Sequence, residues 1–101
     1  MSTVSFVAGE LTFEWDSSKA ASNERKHGVS FIEAATVFLD PLARLFDDPD
    51  HSDDEVRLLL VGISARRRAL LVVHVERSEV LRIISARLAT RRELAMLREE
   101  D

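Results

Sequence analysis

Four arginines crowd one short stretch of this chain, at the predicted junction between a strand and a helix: Arg82, Arg87, Arg91 and Arg92. The whole chain carries a formal net charge of -4, so a local basic cluster stands out against its surroundings. The planar guanidinium group presents a fork of N–H donors that matches the oxygens of a phosphate or a carboxylate. The cluster therefore indicates a phosphate ligand, an acidic partner or a solvated basic face.

The charges along the chain are divided between an acidic and a basic segment. Residues 40–55 include seven acids and one base, whereas residues 62–93 include eight arginines and three acids. Three of these arginines, Arg66, Arg67 and Arg68, are consecutive in a predicted hairpin turn. Such a distribution bears on association and not on fold. This division of charge would be explained by two solvated faces, or by a contact between the basic segment and a nucleic-acid backbone.

The length and composition predict one globular domain spanning residues 1–101, with residues 1–10 as a flexible tail. Hydrophobic residues make up 46% of the 101 residues and charged residues 32%, which is typical of a folded chain. The chain has no cysteine, so disulfides and thiolate metal sites are excluded. No apolar run approaches the roughly 20 residues of a membrane span, and the first ten residues do not resemble a signal peptide. We therefore expect a cytoplasmic protein without a membrane partner.

The elements that must position the arginines can be read from capping residues and apolar periodicity. Asp16 or Ser17 is predicted to cap a first helix that ends at Gly28. Ser30 and Glu33 form a capping-box pattern for a second helix, and Thr90 and Glu93 form another for a C-terminal helix that runs to about residue 100. Residues 12–15 suggest a short edge strand. Four further strands are predicted at residues 43–46, 56–63, 69–75 and 80–86.

This order of elements predicts an α+β fold. Short polar breaks between the later strands favour an antiparallel meander over parallel crossovers. We therefore expect two N-terminal helices packed on a roughly four-stranded antiparallel sheet, followed by a C-terminal helix.

Several segments, taken together, resemble the BrnT-type toxins of bacterial type II toxin–antitoxin systems. The resemblance covers the chain from about Leu11 to Arg98, and one departure is Leu97, where members of the family commonly carry an aromatic residue. The chain contains no tyrosine. The matching segments occur in the same order and spacing: 13–16 (FEWD), 19–31 (KAASNERKHGVSF), 33–38 (EAATVF), 40–41 (DP), 50–57 (DHSDDEVR), 62–64 (GIS) and 83–93 (IISARLATRRE).

The resemblance implies a fold like that of the RelE ribonucleases and a metal-independent endoribonuclease that inhibits translation. It also implies neutralisation by a cognate BrnA-type antitoxin, and operator DNA binding only through the toxin–antitoxin complex. No cofactor is implied. The alternative is a non-catalytic protein or nucleic-acid binding module on the same fold. Leu97 favours that alternative, whereas the basic residues favour the ribonuclease.

Metal-independent RNA cleavage needs a group that takes the 2′-hydroxyl proton, cations that stabilise charge on phosphate, and an acid for the leaving oxygen. We expect phosphate to bind Arg57, Arg87 and Arg91, with Lys26 or His27 in proton transfer. Glu55 begins the strand that carries Arg57 and completes the candidate catalytic set. The expected RNA-binding residues are Arg66, Arg67, Arg68, Arg82 and Arg92.

Structural roles compete with these functional ones. Glu55 and Arg57 point to the same side of a strand and could pair with each other. Asn23 is expected to act as a structural hydrogen-bonding residue within the first helix. His74, inside an apolar strand, is expected to be a core or sheet-face histidine whose hydrogen bonds are satisfied. His51 lies in an aspartate-rich connection, but no second ligand stands at helical spacing from it, so no metal site is expected.

Overall fold

The computed structural model describes residues 2–49 and 55–98. The predicted positions of the helices and of the last four strands are confirmed to within a few residues. Within the described part of the chain the elements, in order, are β1 (Thr3–Ala8), β2 (Leu11–Asp16), α1 (Ser17–His27), α2 (Phe31–Thr36), a 3-10 helix (Val37–Leu39), β3 (Arg44–Asp47), β4 (Arg57–Ile63), β5 (Ala69–Arg77), β6 (Val80–Leu88) and α3 (Arg91–Met96).

The strands form one mixed sheet in the order β1-β2-β6-β5-β4-β3. Neighbouring strands are antiparallel except β2 and β6, which are parallel. The α+β class is confirmed. The predicted arrangement of two leading helices on an antiparallel four-stranded sheet is wrong, because two strands precede the helices and the sheet has six strands among the described residues.

The N-terminal segment is the largest departure from the prediction, since β1 stands where a flexible tail was expected. Gly9, with φ 63°, turns the chain back so that β1 pairs with β2 along its whole length. Phe6 of β1 packs on Trp15 of β2, with ring centroids 5.9 Å apart. Burial of this aromatic pair holds the hairpin on the sheet. β2 is consequently an interior strand and not the predicted edge.

The core lies between one sheet face, which we call the helix face, and the layer formed by α1, α2 and the 3-10 helix. Alternation along the strands directs Phe13, Val72 and Ile83 to this face, where they are fully or almost fully buried. Phe31 and Ala34 of α2 close the core from the other side. Among the described elements, α3 packs on the opposite sheet face at one end, against β4. Among the described residues, no helix is long and apolar enough to cross a membrane.

Capping side chains set the helix limits as the sequence indicates. The Asp16 carboxylate accepts hydrogen bonds from the backbone N–H groups of Ser18 and Lys19, at 2.8 and 3.2 Å, and Gly28 ends α1 with φ 70°. The capping box of Thr90 and Glu93 is complete. α3 ends at Met96, earlier than predicted, and residues 99–101 lie outside the described residues.

Asn23 joins the helix layer to the sheet. A structural role was predicted for it, but its hydrogen bonds were expected within the first helix, and that part of the prediction is wrong. Its side-chain amide donates to the carbonyl oxygens of Val29, at 3.0 Å, and Ala86, at 2.8 Å. Its side-chain oxygen accepts from the backbone N–H of Ala86 at 3.1 Å. One buried amide therefore satisfies three backbone groups, one in the loop between α1 and α2 and two on β6.

His74 is a core histidine on the helix face of β5, as predicted, but the expectation that its hydrogen bonds would be satisfied is wrong within the described part of the chain. Its ring is fully buried and meets the Phe38 ring edge-on, with centroids 4.8 Å apart. Neither ring nitrogen has a hydrogen-bond partner among the described residues. Burial lowers the pKa of His74 below its ordinary value of 6.5, against the opposing pull of Glu76. The folded state therefore favours the neutral imidazole.

The neutral state of His74 predicts a loss of stability in mild acid. Because the folded-state pKa is below 6.5, the free energy of unfolding is highest above that pH and falls as the pH drops below it, by at most about 1.4 kcal/mol per pH unit. Urea unfolding between pH 7.5 and 5.0 measures this slope. A His74→Phe control should show a smaller slope over the same range. Equal slopes for the two proteins would show that His74 does not cause the loss of stability in mild acid.

Candidate functional site

The sheet face opposite the helix layer bears most of the arginines of the later strands, and we call it the arginine face. The strand register places Arg57 of β4, Arg77 of β5 and Arg82 and Arg87 of β6 on this side. Their apolar neighbours on the same face include Val75 and Leu71. The arginine face thus consists of buried apolar side chains and of long cationic side chains that project from the sheet between them.

The lower end of the arginine face, by which we mean Glu14, Glu55, Arg57, Arg77 and Arg82, forms a connected charged cluster. In the register, Val75 is the cross-strand partner of both Arg57 and Arg82. These two arginines therefore stand two strands apart, with Cα atoms separated by roughly 10 Å. Val75 between them is only 4% exposed. Two guanidinium groups thus flank one apolar position of the sheet.

Ion pairs fix four of these five side chains. Arg77 donates from Nε and Nη2 to the two carboxylate oxygens of Glu55, at 2.6 and 2.8 Å. Its Nη1 also lies 3.6 Å from Glu14, which accepts from Arg82 at 2.9 Å. Arg57 forms no ion pair with any residue that the structure describes. The Glu55–Arg57 pair, the structural alternative for these two residues, is not formed: Arg77 binds Glu55, and the Arg57 guanidinium is left for another anion.

The charge state of the lower end follows from these contacts. The hydrogen bonds from Arg77 lower the pKa of Glu55, so that its carboxylate is ionised at neutral pH. The same bonds raise the pKa of Arg77. Among the described residues of the lower end, three guanidinium groups face two carboxylates, which is an excess of one positive charge. Such a site can bind a phosphate and offers an ionised carboxylate beside it as a proton acceptor.

At the upper end of the arginine face, Arg87 fastens α3 to the sheet. Its two terminal nitrogens each donate to one carboxylate oxygen of Glu93 at 2.9 Å, and one of them also reaches the carbonyl of Leu88 at 3.1 Å. The hydrogen bond from Arg87 lowers the pKa of Glu93. Arg91 and Arg92 are exposed on the first turn of α3, and Leu97 is half-buried at its end.

The structure does not bring the expected phosphate ligands Arg57, Arg87 and Arg91 to one point. Arg87 pairs with Leu71 on β5, whereas Arg57 pairs with Val75, four residues farther along that strand. Four residues of a strand span roughly 13 Å. The partner that stands beside Arg57 is instead Arg82, which the sequence analysis had placed among the RNA-binding residues.

Lys26 and His27 lie on the other side of the molecule. They form the last turn of α1, and the carbonyl of the next residue, Gly28, accepts from Arg68 at 3.0 Å. This places them beside the β4–β5 turn, at the end of the sheet opposite Glu55. The structure therefore does not unite the two candidate proton-transfer residues with Glu55 and Arg57.

Of the three arginines in the β4–β5 turn, Arg68 is held inside the fold. Its guanidinium binds both carboxylate oxygens of Glu33, a buried residue that also accepts from the Ser64 hydroxyl at 2.7 Å. These bonds, chiefly the one from Arg68, lower the pKa of Glu33. Arg66 lies 3.7 Å from the same carboxylate, and Arg67, with φ 65°, is exposed at the tip. Arg68 thus has a structural role, and its predicted RNA contact would have to compete with the bonds to Glu33.

Glu14 and Arg77 belong to the charged cluster of the lower end but were not predicted as site residues. Arg77 extends the alternation of β5 by one step past Val75, and a longer strand assignment would have found it. No sequence pattern could have identified Glu14 as a site residue, because its position beside Arg82 depends on the parallel pairing of β2 with β6. His51, the weighed metal ligand, lies outside the described residues. Within residues 2–49 and 55–98, no three potential ligand side chains stand close enough together to hold a metal ion.

Comparison with known proteins relates this chain to a family and to a solved structure. The family model described as "Ribonuclease toxin, BrnT, of type II toxin-antitoxin system" matches residues 15–93, which contain every residue of the lower end except Glu14. The crystal structure of the Brucella abortus ribonuclease toxin BrnT superposes with a TM-score of 0.58 and 29% sequence identity, covering 76% of this chain and 94% of that one. No curated protein sequence matches this chain.

Proposed function

Because this chain belongs to the BrnT family of ribonuclease toxins of type II toxin–antitoxin systems, we propose that it is a metal-independent endoribonuclease that inhibits translation by cleaving RNA. A type II toxin has a protein antitoxin as its partner. We further propose that this partner is of the BrnA type, that both proteins act in the cytoplasm, and that operator DNA is bound only by their complex.

One observation carries the proposal of a catalytic site. Arg57 and Arg82 stand on either side of Val75 on an exposed sheet face, and Arg77 holds the ionised Glu55 next to them. A phosphodiester over Val75 would receive N–H donors from two directions. Fixed guanidinium groups can supply the charge stabilisation that a metal ion supplies in other nucleases.

We assign the chemistry to the lower end as follows. The Glu55 carboxylate takes the proton of the ribose 2′-hydroxyl, whose oxygen attacks the adjacent phosphorus. Arg57 and Arg82 stabilise the additional negative charge that develops on the phosphate oxygens. The bond to the 5′ oxygen breaks, and that oxygen takes a proton from water. The products are a 2′,3′-cyclic phosphate and a 5′-hydroxyl.

The other basic residues receive supporting roles in this proposal. Arg87, Arg91 and Arg92 lie at the upper end and would follow the RNA backbone beyond the cleaved bond. Proton transfer is assigned to Glu55 and not to Lys26 or His27, because those two residues lie at the opposite end of the sheet, in the last turn of α1. Arg66 and Arg67 are exposed and would contact RNA only through its charge.

Cleavage of RNA in a chelator tests the proposal. The purified chain, dialysed against EDTA, should cleave single-stranded RNA at the same rate as in buffer with added Mg²⁺, because arginines neutralise the phosphate. Gel analysis of a labelled oligonucleotide measures the rate. Retention of RNA without cleavage in either buffer would support the non-catalytic binding module instead. Activity that requires Mg²⁺ would contradict metal independence.

A further inference from the structure

Glu14 connects the two arginines at the β5–β6 side of the lower end. Its carboxylate oxygen Oε2 accepts a hydrogen bond from Nη1 of Arg82 at 2.9 Å and lies 3.6 Å from Nη1 of Arg77. The register of β2 and β6 brings Glu14 and Arg82 together, because it makes them direct cross-strand neighbours. One oxygen atom of Glu14 thus lies between two guanidinium groups.

This contact completes a series of side chains whose charges alternate in sign: Glu55, Arg77, Glu14 and Arg82. The two guanidinium groups repel each other, and the carboxylate between them offsets that repulsion. The two ends of the series also act on each other. The hydrogen bonds from Arg77 lower the pKa of Glu55, and the positive charge of Arg82 adds to that effect.

The contact with Glu14 leaves Arg82 able to bind a phosphate. A guanidinium group carries several N–H donors in one rigid plane, and this contact uses one of them. Because the plane is rigid, a bond at Nη1 restricts the directions in which Nε and Nη2 can point. The side chains of Arg82 and Glu14 are only 20% and 27% exposed, so the contact is partly shielded from water.

From these contacts we propose that Glu14 is a positioning residue for RNA cleavage, which holds the Arg82 guanidinium beside Val75 and keeps Arg77 in place next to Glu55. The inference rests on the proposed function, since it takes Glu55 as the proton acceptor and Arg82 as a phosphate ligand. Glu14 does not touch the RNA, and its negative charge repels the phosphate backbone. Its contribution is geometric, because a displacement of about 1 Å in a reacting group can slow a reaction about 10²-fold.

Two simpler roles for Glu14 lead to different results. A partly exposed ion pair contributes little to stability, and the hairpin that carries Glu14 is also held by Phe6 and Trp15. A purely structural role would therefore leave folded variants with the unmodified rate of cleavage. If Glu14 only competed with phosphate for Arg82, its removal would raise both the RNA affinity and the rate. The positioning role predicts that affinity and rate change in opposite directions.

Glu14→Gln tests the proposal in the full chain, because it removes the charge and keeps the shape of the side chain. Single-turnover cleavage of a labelled RNA oligonucleotide should slow about 10- to 100-fold. The affinity for the same oligonucleotide, made non-cleavable by a 2′-deoxy substitution at the cleaved position, should be unchanged or higher. NMR relaxation should show larger motion of the Nε–H bond of Arg82. Glu10→Gln, an exposed change in the turn before β2, removes the same charge and should leave the rate unchanged.

Two further variants separate position from charge. Glu14→Asp keeps the charge but shortens the side chain by one methylene, so its rate should stay below that of the unmodified chain. In a chain that already carries Arg82→Gln, adding Glu14→Gln should slow cleavage by less than about threefold, because two residues that act through one contact are not additive.

The outcomes distinguish this proposal from the proposed function. If the unmodified chain cleaves RNA and folded Glu14→Gln and Glu14→Asp cleave it equally fast, the positioning role is wrong and the proposed function stands. Unchanged motion of Arg82 in folded Glu14→Gln, or a rate that rises together with affinity, would also overturn the positioning role alone. Absence of cleavage by the unmodified chain would overturn the proposed function and the positioning role together.

Discussion

Replacing Arg57 by alanine is expected to reduce the rate of RNA cleavage about 10²- to 10³-fold while leaving the fold intact. Arg57 is exposed and forms no ion pair within the described ranges, so its loss removes no contact that supports the sheet. Removing one cationic donor from a site that stabilises developing charge commonly has an effect of this size. Single-turnover cleavage of a labelled RNA oligonucleotide, measured beside urea unfolding, separates activity from stability.

Two further variants sharpen that prediction. Arg57→Lys should recover only part of the activity, because an ammonium group keeps the charge but loses the planar fork of donors. Arg25→Ala is the matched control, because Arg25 is exposed on α1 and distant from the arginine face. The phosphate assignment is wrong if folded Arg57→Ala cleaves RNA within threefold of the unmodified chain.

The second large effect concerns stability. Asn23→Ala should lower the free energy of unfolding by about 3 kcal/mol or more, because it leaves two carbonyls and one N–H without partners at a buried site. Urea unfolding measures this loss. Faster hydrogen exchange at the N–H of Ala86 in the variant would show that the loss of stability arises at β6.

Ser22→Ala is the control for this second change, since Ser22 is an exposed neighbour on the same helix. A surface change of this kind should alter the free energy of unfolding by less than about 0.5 kcal/mol. If Asn23→Ala were as mild as Ser22→Ala, water or a shifted side chain would have to replace the amide, and Asn23 would not be the link between α1 and the sheet.

Local signals predicted the local structure well. The caps Asp16, Ser30 and Thr90 fixed the starts of three helices because capping depends on residues within one turn. The box at Ser30 is only half formed, however. Glu33 turns to Arg68, 35 residues away, instead of back to its own helix start. A tertiary ion pair had overridden a local preference that the sequence displayed.

The parallel pairing of β2 with β6 could not be read from the sequence. Both strands show the alternation of a half-buried strand, but nothing in that pattern specifies which partner lies alongside. The contact between Glu14 and Arg82 in the candidate site could not be predicted for the same reason. The two residues are 68 positions apart in the sequence and meet only because β2 pairs with β6. Residue types predicted an arginine-rich phosphate site. The fold determined that Arg82 and not Arg87 stands beside Arg57.

The most direct test of cleavage on the arginine face uses an RNA oligonucleotide with a single 2′-deoxy substitution at the cleaved position. If Glu55 activates the ribose 2′-hydroxyl, the substituted strand should remain intact in EDTA, and the unmodified strand should yield a 2′,3′-cyclic phosphate and a 5′-hydroxyl. Cleavage of the substituted strand at the same position, or products that carry a 5′-phosphate, would contradict the proposed mechanism.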